Sequence, residues 1–191
     1  MAILLSTEHF LLRPLTEKDI TSTYISWLND PTINRFLECR FTVQTEQTVQ
    51  DYLKKFDFQY NFIFGLFDVQ KNSCHIGNFT LVTNPFHHFA ELGFLIGDKT
   101  YWGTSAATEG LVLLFDFAFL EHGIRKITGG TYHLNIFSIS KFQKLGFTLE
   151  GVLREKYQYE NHFVNELRFG LLKKEWLEIR KNFLHTSRKI A

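Results

Sequence analysis

The chain has 191 residues, 45% of them hydrophobic, and sets 21 Lys and Arg against 20 Asp and Glu for a net charge of +1. That balance argues against nucleic acid or an anionic membrane as a principal partner, and the length suffices for one substantial core. No apolar run approaches the roughly 20 residues that span a bilayer, the N-terminus lacks a basic-then-apolar leader, and Cys39 and Cys74 match no zinc or redox spacing. The expectation is one domain over residues 1–191, cytoplasmic and without a metal, carrying two free thiols in a reducing compartment.

In chain order, Ile3 to Leu5 and Phe10 to Arg13 read as an opening strand or hairpin. Thr16-Glu17-Lys18-Asp19 reads as a capped start to a helix carrying Ile20, Tyr24 and Trp27, ended by Asn29-Asp30-Pro31. A second helix is predicted from Thr45 to Phe56, with Val49, Leu53 and Phe56 inward. Asn61 to Val69 and His75 to Thr83 form a meander into Ala90 to Ile96. There Leu92, Phe94 and Ile96 share one face and Glu91, Gly93 and Leu95 the other.

The small residues Gly103 to Ala107 then open a helix in which Ala107, Leu111, Leu114, Phe115, Ala118 and Phe119 recur at three-to-four spacing, with Gly123 as its stop. Lys126 to Tyr132 is a strand, and Asn135 caps a helix from Ile136 to Leu145 closed by Gly146. The long crossover favours parallel pairing of the strands on either side of the first of these helices. Phe147 to Tyr159 and Phe163 to Leu172 make a long hairpin about Glu160-Asn161-His162, and Lys173 to Leu184 a last helix. The basic residues Arg180, Lys181, Arg188 and Lys189 read as a solvated end. The class is α/β, a mixed sheet with helices on its faces.

The chemistry begins at Gly103, Thr104, Ser105, Ala106 and Ala107. Little side-chain bulk lets a ligand approach the main chain, where unpaired N–H groups of the first helical turn suit a pyrophosphate. The alternative reading of the same run is tight strand-to-helix packing. Asn135 and Ser138, three residues apart at a helix start, face one side. Core packing accounts for most of the 21 Phe; Trp27, Phe36 and Phe41 are candidates for lining an acceptor cleft.

Ile96-Gly97-Asp98 to Tyr101-Trp102-Gly103, the Ala107-Thr108-Glu109 helix start, Asn135-Ile136-Phe137-Ser138, Lys144-Leu145-Gly146-Phe147 and Glu150-Gly151-Val152-Leu153-Arg154 follow one another in the order of a known pattern. From Leu11 to Trp176 the chain resembles the GNAT superfamily of acetyl-CoA-dependent N-acetyltransferases, and within it the branch of ribosomal-protein alanine acetyltransferases. It departs at Thr100-Tyr101-Trp102-Gly103-Thr104-Ser105, where the family's loop runs Gln/Arg-x-x-Gly-x-Gly/Ala.

The resemblance implies a GNAT fold, with a mixed central β-sheet splayed near Glu91 at the acetyl-CoA cleft and helices on both faces. It implies direct acetyl transfer to a primary amine on a protein N-terminus, an amino sugar or nucleotide sugar, or another small molecule. Acetyl-CoA would be held by Phe94, Leu95, Ile96, Gly103, Thr104, Ser105, Ala106, Ala107, Asn135 and Ser138. A lysine-like amine is protonated at neutral pH at a cost of roughly 4 to 5 kcal/mol, an α-amine at about 1, so a base matters. Glu91 is the first choice, with His87 and His88 as alternatives. Ser138 is the acid for the departing sulfur, Tyr157 and Tyr159 its alternatives, and Asn135 orients the cofactor. Many relatives dimerise, which makes a homodimer an expectation here. The competing class is a catalytically silent acyl-CoA-binding or interaction module.

Overall fold

The computed structural model describes residues 3–186. Strand β3 (Asn61–Asp68) shows how its layers arise. Phe62, Phe64 and Leu66 enter one hydrophobic cluster, and Ile63 and Phe67 a second. A strand apolar on both sides must be covered on both faces.

The sheet has eight strands in the order β1 (Leu5–Ser6), β2 (Phe10–Pro14), β3, β4 (Cys74–Asn84), β5 (Phe89–Ile96), β6 (Lys126–Tyr132), β8 (His162–Leu172), β7 (Thr148–Tyr159). Every pairing is antiparallel except that of β5 with β6. The smaller cluster gathers Tyr24 and Trp27 of α1 (Ser22–Asn29) with Val49 and Leu53 of α3 (Glu46–Leu53). The larger takes in α4 (Ala106–Asp116), Phe142 of α5 (Ile136–Lys144) and Trp176 of α6 (Lys173–Ile179).

Helix α4, the crossover between the parallel strands, is buried along its whole length. Its polar side chains are satisfied, as burial requires. Thr108 Oγ1 lies 3.1 Å from Lys141 Nζ, and Glu109 accepts from Thr7 Oγ1 at 2.8 Å and Ser105 Oγ at 2.7 Å. Asp116 accepts from Trp176 Nε1 at 3.0 Å and from Arg180 at 2.6 and 2.8 Å. Arg180 is therefore not part of a solvated end, because Trp176 carries the terminal helix into the core and brings the guanidinium onto Asp116. Lys181 is exposed, and Arg188 and Lys189 lie outside the described residues.

The splay falls where the resemblance implied. Strand β5 pairs with β4 as far as Ile96, yet with β6 only at Phe89, Ala90 and Glu91, opposite Lys126, Ile127 and Thr128. Beyond Glu91 the two strands part, leaving a V between their main-chain edges.

Local differences have local causes. The Thr16–Asp19 capping box encloses only a 3-10 turn, Glu17–Asp19; Ile20 leaves helical geometry (φ −77°, ψ 87°), and α1 restarts with Thr21 Oγ1 accepting from Tyr24 N at 3.2 Å. Asp30 ends α1 and caps the short α2 (Pro31–Asn34). Helix α3 stops at Leu53, short of Phe56. Helix α4 runs on through a π-turn, Phe117–Glu121, before the chain reaches Gly123.

Candidate active site

At the mouth of the V, the turn after β5 and the starts of α4 and α5 enclose a cleft. It is lined by Phe94, Leu95 and Ile96, then Trp102, Gly103, Thr104 and Ala107, then Asn135, Ser138 and Lys141, together with Ile33, Arg35, Phe36 and Leu37. Gly103 has φ +79°, and a Cβ there would meet nothing within 4 Å, so its main chain is open to a ligand. The Trp102 indole donates to Ile96 O at 2.8 Å and pins the turn against the strand. Ser105 Oγ donates to Glu109, which turns it away; neither Ser105 nor Ala106 is among the residues lining the cleft.

Asn135 caps α5. Its Oδ1 accepts from Ser138 N at 3.3 Å and its Nδ2 donates to Ser138 Oγ at 2.9 Å. Ser138 Oγ thus accepts a hydrogen bond from Asn135 and keeps its own O–H to donate. Lys141, one turn further on, places a half-buried cation beside the start of α4; burial and neighbouring Lys144 draw its pKa down. It was missed in the sequence, though its i+3 spacing from Ser138 could have revealed it.

A second cavity, of about 410 Å³, lies between α1, α3 and the other face of β3 to β5. Tyr24, Leu37, Glu38, Cys39, Tyr52, Asn78, Thr80, Gly93, Phe94 and Leu95 are among its lining residues. Leu37, Phe94 and Leu95 belong to both cavities. The two therefore meet at the edge of β5 where the sheet opens.

Glu91 lines neither cavity. Both its oxygens accept from Arg168 at 2.8 Å, and Oε2 also accepts from Thr128 Oγ1 at 2.7 Å. Arg168 NH1 reaches Glu166 at 3.1 Å, and Glu166 is bonded to Lys156 as well. Burial pushes the Glu166 carboxyl upward, but Lys156 and Arg168 outweigh it and hold the group low. These pairs lace β5, β8 and β7 together across Gly130 of β6, where a Cβ would lie 2.0 Å from Glu166 Oε1.

The remaining candidates scatter. His87 and His88 are exposed in the turn before β5 and touch neither cavity. Tyr157 donates to Glu166 at 3.2 Å and stacks on Tyr132 at 4.3 Å; burial pushes its phenol up. Tyr159 stacks on Phe36 at 5.5 Å. Phe36 lines the first cleft and Phe41 a neighbouring groove, whereas Trp27 is a core residue at 6% exposure.

A parallel β-α-β crossover splayed over a small-residue helix start defines an α/β protein with a cleft at that helix start. Residues 9–148 match the family model described as an acetyltransferase (GNAT) domain, and the chain belongs to that family, whose cosubstrate is acetyl-CoA. It is 29% identical over 100 residues, 51% of the chain, to FsC-acetyl coenzyme A-N(2)-transacetylase of Aspergillus fumigatus, and spans 42% of that relative's length. The fold is shared with spermidine N-acetyltransferase of Vibrio cholerae in complex with CoA and spermine. That match has a TM-score of 0.78 and 20% identity, covering 88% of this chain and 98% of that one. It is shared equally with RimL, a ribosomal L7/L12 alpha-N-protein acetyltransferase in complex with coenzyme A, at a TM-score of 0.76 and 14% identity, covering 89% and 98%.

Proposed function

We propose that the chain moves acetyl from acetyl-CoA to a small primary amine with one positive charge and an apolar body. The observation that carries this is the meeting of two cavities at Leu37, Phe94 and Leu95. In this reading one takes the pantetheine arm and the other the amine. The edge of Phe94 to Ile96, the Gly103 to Ala107 turn, Asn135 and Ser138 hold the cofactor, with Lys141 as a counter-charge. Transfer is direct. The amine nitrogen attacks the thioester carbon, the C–S bond breaks, Ser138 supplies a proton to the departing sulfur, and the proton shed by the acylated nitrogen restores the serine hydroxyl. The clamped geometry of Glu91 supports a positioning role for it at the splay.

The acceptor class follows from the cavity wall. Tyr24, Leu28, Val49 and Tyr52 offer apolar surface, with Glu38 as the carboxylate and Lys55 as a cation among the lining residues. A polyamine would need more than one anion; a monoamine is matched. Thiol release from acetyl-CoA with phenethylamine, spermine, glucosamine and an alanyl dipeptide tests this, and phenethylamine is expected to be fastest. A faster spermine or dipeptide reaction would reject the acceptor class. Acetyl-CoA should also raise the melting temperature where acetate does not. A melting shift without thiol release from any amine would establish the silent acyl-CoA-binding module instead.

The same proposal includes a homodimer. Strand β7 is an edge strand exposing Leu149, Val152 and Leu153, a surface suited to pairing with a second copy. Sedimentation as a monomer at micromolar concentration would remove it.

A further inference from the structure

Glu38 opens a 3-10 turn, Glu38–Phe41, and is a wall residue of the acceptor cavity. Its Oε1 accepts from the Tyr132 hydroxyl at 2.8 Å. The same hydroxyl oxygen accepts from Arg40 NH2 at 3.2 Å, and Arg40 also donates to Gln158 O at 2.7 Å. The guanidinium lies 4.5, 5.1 and 5.6 Å from the ring centroids of Phe41, Tyr132 and Tyr159. Such packing fixes a planar cation.

A phenol has one proton to give. With Arg40 donating to its oxygen, the Tyr132 proton goes to Glu38. Burial, then the bond to Glu38, push the Tyr132 phenol up to about 12, so it remains a donor at working pH. One Glu38 oxygen is thus engaged, while Oε2 has no bonded partner among the described residues and belongs to a side chain left exposed. Glu91 and Glu166, the other carboxylates near the splay, are already matched by Arg168 and Lys156.

We propose that Glu38 receives the acceptor ammonium on its free oxygen and takes its proton, with Tyr132 and Arg40 as positioning residues. This rests on the two-cavity reading above. An N–H bond of the ammonium breaks and its electron pair stays on nitrogen, while the proton passes to the Glu38 carboxylate, giving a neutral carboxylic acid. The freed pair forms the C–N bond to the acetyl carbon, the C–S electrons leave with sulfur, which takes the Ser138 proton, and the second proton shed by the acylated nitrogen restores the serine hydroxyl. Glu38 then returns its proton to solvent, so the net products are the amide, the thiol and one proton.

The titratable and charged groups around Glu38 are Arg40 and Cys39 on its own turn, Tyr132 from β6, Tyr157 from β7, and Tyr24, Tyr52 and Lys55 across the cavity. Cys39 and the four tyrosines are shifted upward, with burial the largest cause for each. Those shifts carry the thiol and the phenols further above a profile taken from pH 6 to pH 9.

The test is kcat/KM for phenethylamine from pH 6 to 10 in the wild type, Glu38→Gln, Glu38→Asp, Tyr132→Phe and Glu91→Gln, with the acetyl-CoA melting shift measured on each. Glu38→Gln should lose roughly 100-fold or more at pH 7 while keeping the melting shift. Its loss should close as pH approaches the amine pKa, near ~10.4 for an alkylamine. Tyr132→Phe should lose roughly tenfold with the same pH shape, and Glu38→Asp should recover part of the activity. Wild-type turnover in Glu38→Gln at pH 7, a loss equal at every pH, or the pH-dependent loss appearing in Glu91→Gln instead would each overturn the assignment while leaving acetyl transfer intact. A wild type that releases no thiol would overturn both.

Discussion

The cleft proposed for the cofactor and the cavity proposed for the acceptor share Phe94 and Leu95 of β5, but the first gathers residues from neighbouring segments of the chain and the second depends on partners far apart in sequence. In the cleft, the open edge of Phe94 to Ile96, the Gly103 turn and the capped start of α5 come from one strand-helix-strand-helix unit. Behind the cavity wall, Glu38 meets Tyr132 across 94 residues and Arg40 meets Gln158 across 118. A site read through its main chain tolerates sequence change so long as bulk stays small. A side-chain site fails when one partner is lost.

The largest expected effect tests whether the cleft depends on the far end of its helix. Asp116 is 4% exposed and holds Trp176 and Arg180. Asp116→Ala should cost about 3 kcal/mol by leaving that cluster unpaired, a fall in Tm of roughly 6 to 12 °C. The folded variant should bind acetyl-CoA as the wild type does. Affinity falling in step with stability would show that the cleft is not an independent main-chain device.

Gly103→Glu attacks the cleft itself. The left-handed backbone at φ +79° costs a β-carbon about 1 kcal/mol, and the carboxylate adds repulsion toward a pyrophosphate. Acetyl-CoA affinity should fall roughly 100-fold, about 2.7 kcal/mol, by calorimetry, with the melting temperature of the unliganded protein lower by roughly 2 to 4 °C. Unaltered affinity would move the pyrophosphate elsewhere. Ser138→Ala should be milder, a roughly tenfold loss of turnover, about 1.4 kcal/mol, equal at every pH because its proton is needed after attack. A loss confined to low pH would instead make Ser138 part of amine deprotonation.

The same contrast explains what could be read from the chain. The Gly103 turn and the Asn135 cap are local in sequence, and small-residue runs and cap residues mark them, whereas the divergence after Glu91 was implied by the family resemblance. Glu91 was found by its strand, but nothing local indicates that Arg168, two strands away, clamps it. Glu38, Arg40 and Tyr132 are unremarkable singly, one in a polar-punctuated stretch and one at the end of a strand. Topology alone brings them together. Arg180 was misread for a related reason, since its partner lies 64 residues upstream. At Ile20 the cap signals were genuine but served a single turn, because Thr21 offered a second cap immediately afterwards.

The smallest expected effect sits beneath the acceptor wall and shows as a pH dependence of stability. His75 of β4 packs against Phe67, Trp27 and Tyr24 at 5.0, 5.2 and 5.3 Å between ring centroids. Its Nε2 faces two acceptors, Gly77 O at 3.0 Å and Asn78 Oδ1 at 2.8 Å, so this network assigns the proton to Nε2. Nδ1 is buried without a partner. Charging the ring would place a second N–H there with nothing to accept it, and burial accordingly holds the pKa below its ordinary value of 6.5. Below pH 6.5 the unfolded chain therefore binds a proton that the folded chain refuses. Stability is full above that pH and falls as pH drops, by at most about 1.4 kcal/mol per unit. Asp19 also responds to pH, but outside this window. Burial pushes it up and Arg13 and Thr16 outweigh that, holding it near about 2, so its contribution is present above pH 3.8 and lost only as pH falls toward 2. His75→Phe keeps the ring stack and removes the titration. At pH 8 it should cost about 1 kcal/mol for the lost hydrogen bond, and between pH 6.5 and 5 its urea midpoint should fall less steeply than that of the wild type. Parallel curves for the two proteins would assign the proton uptake to another group.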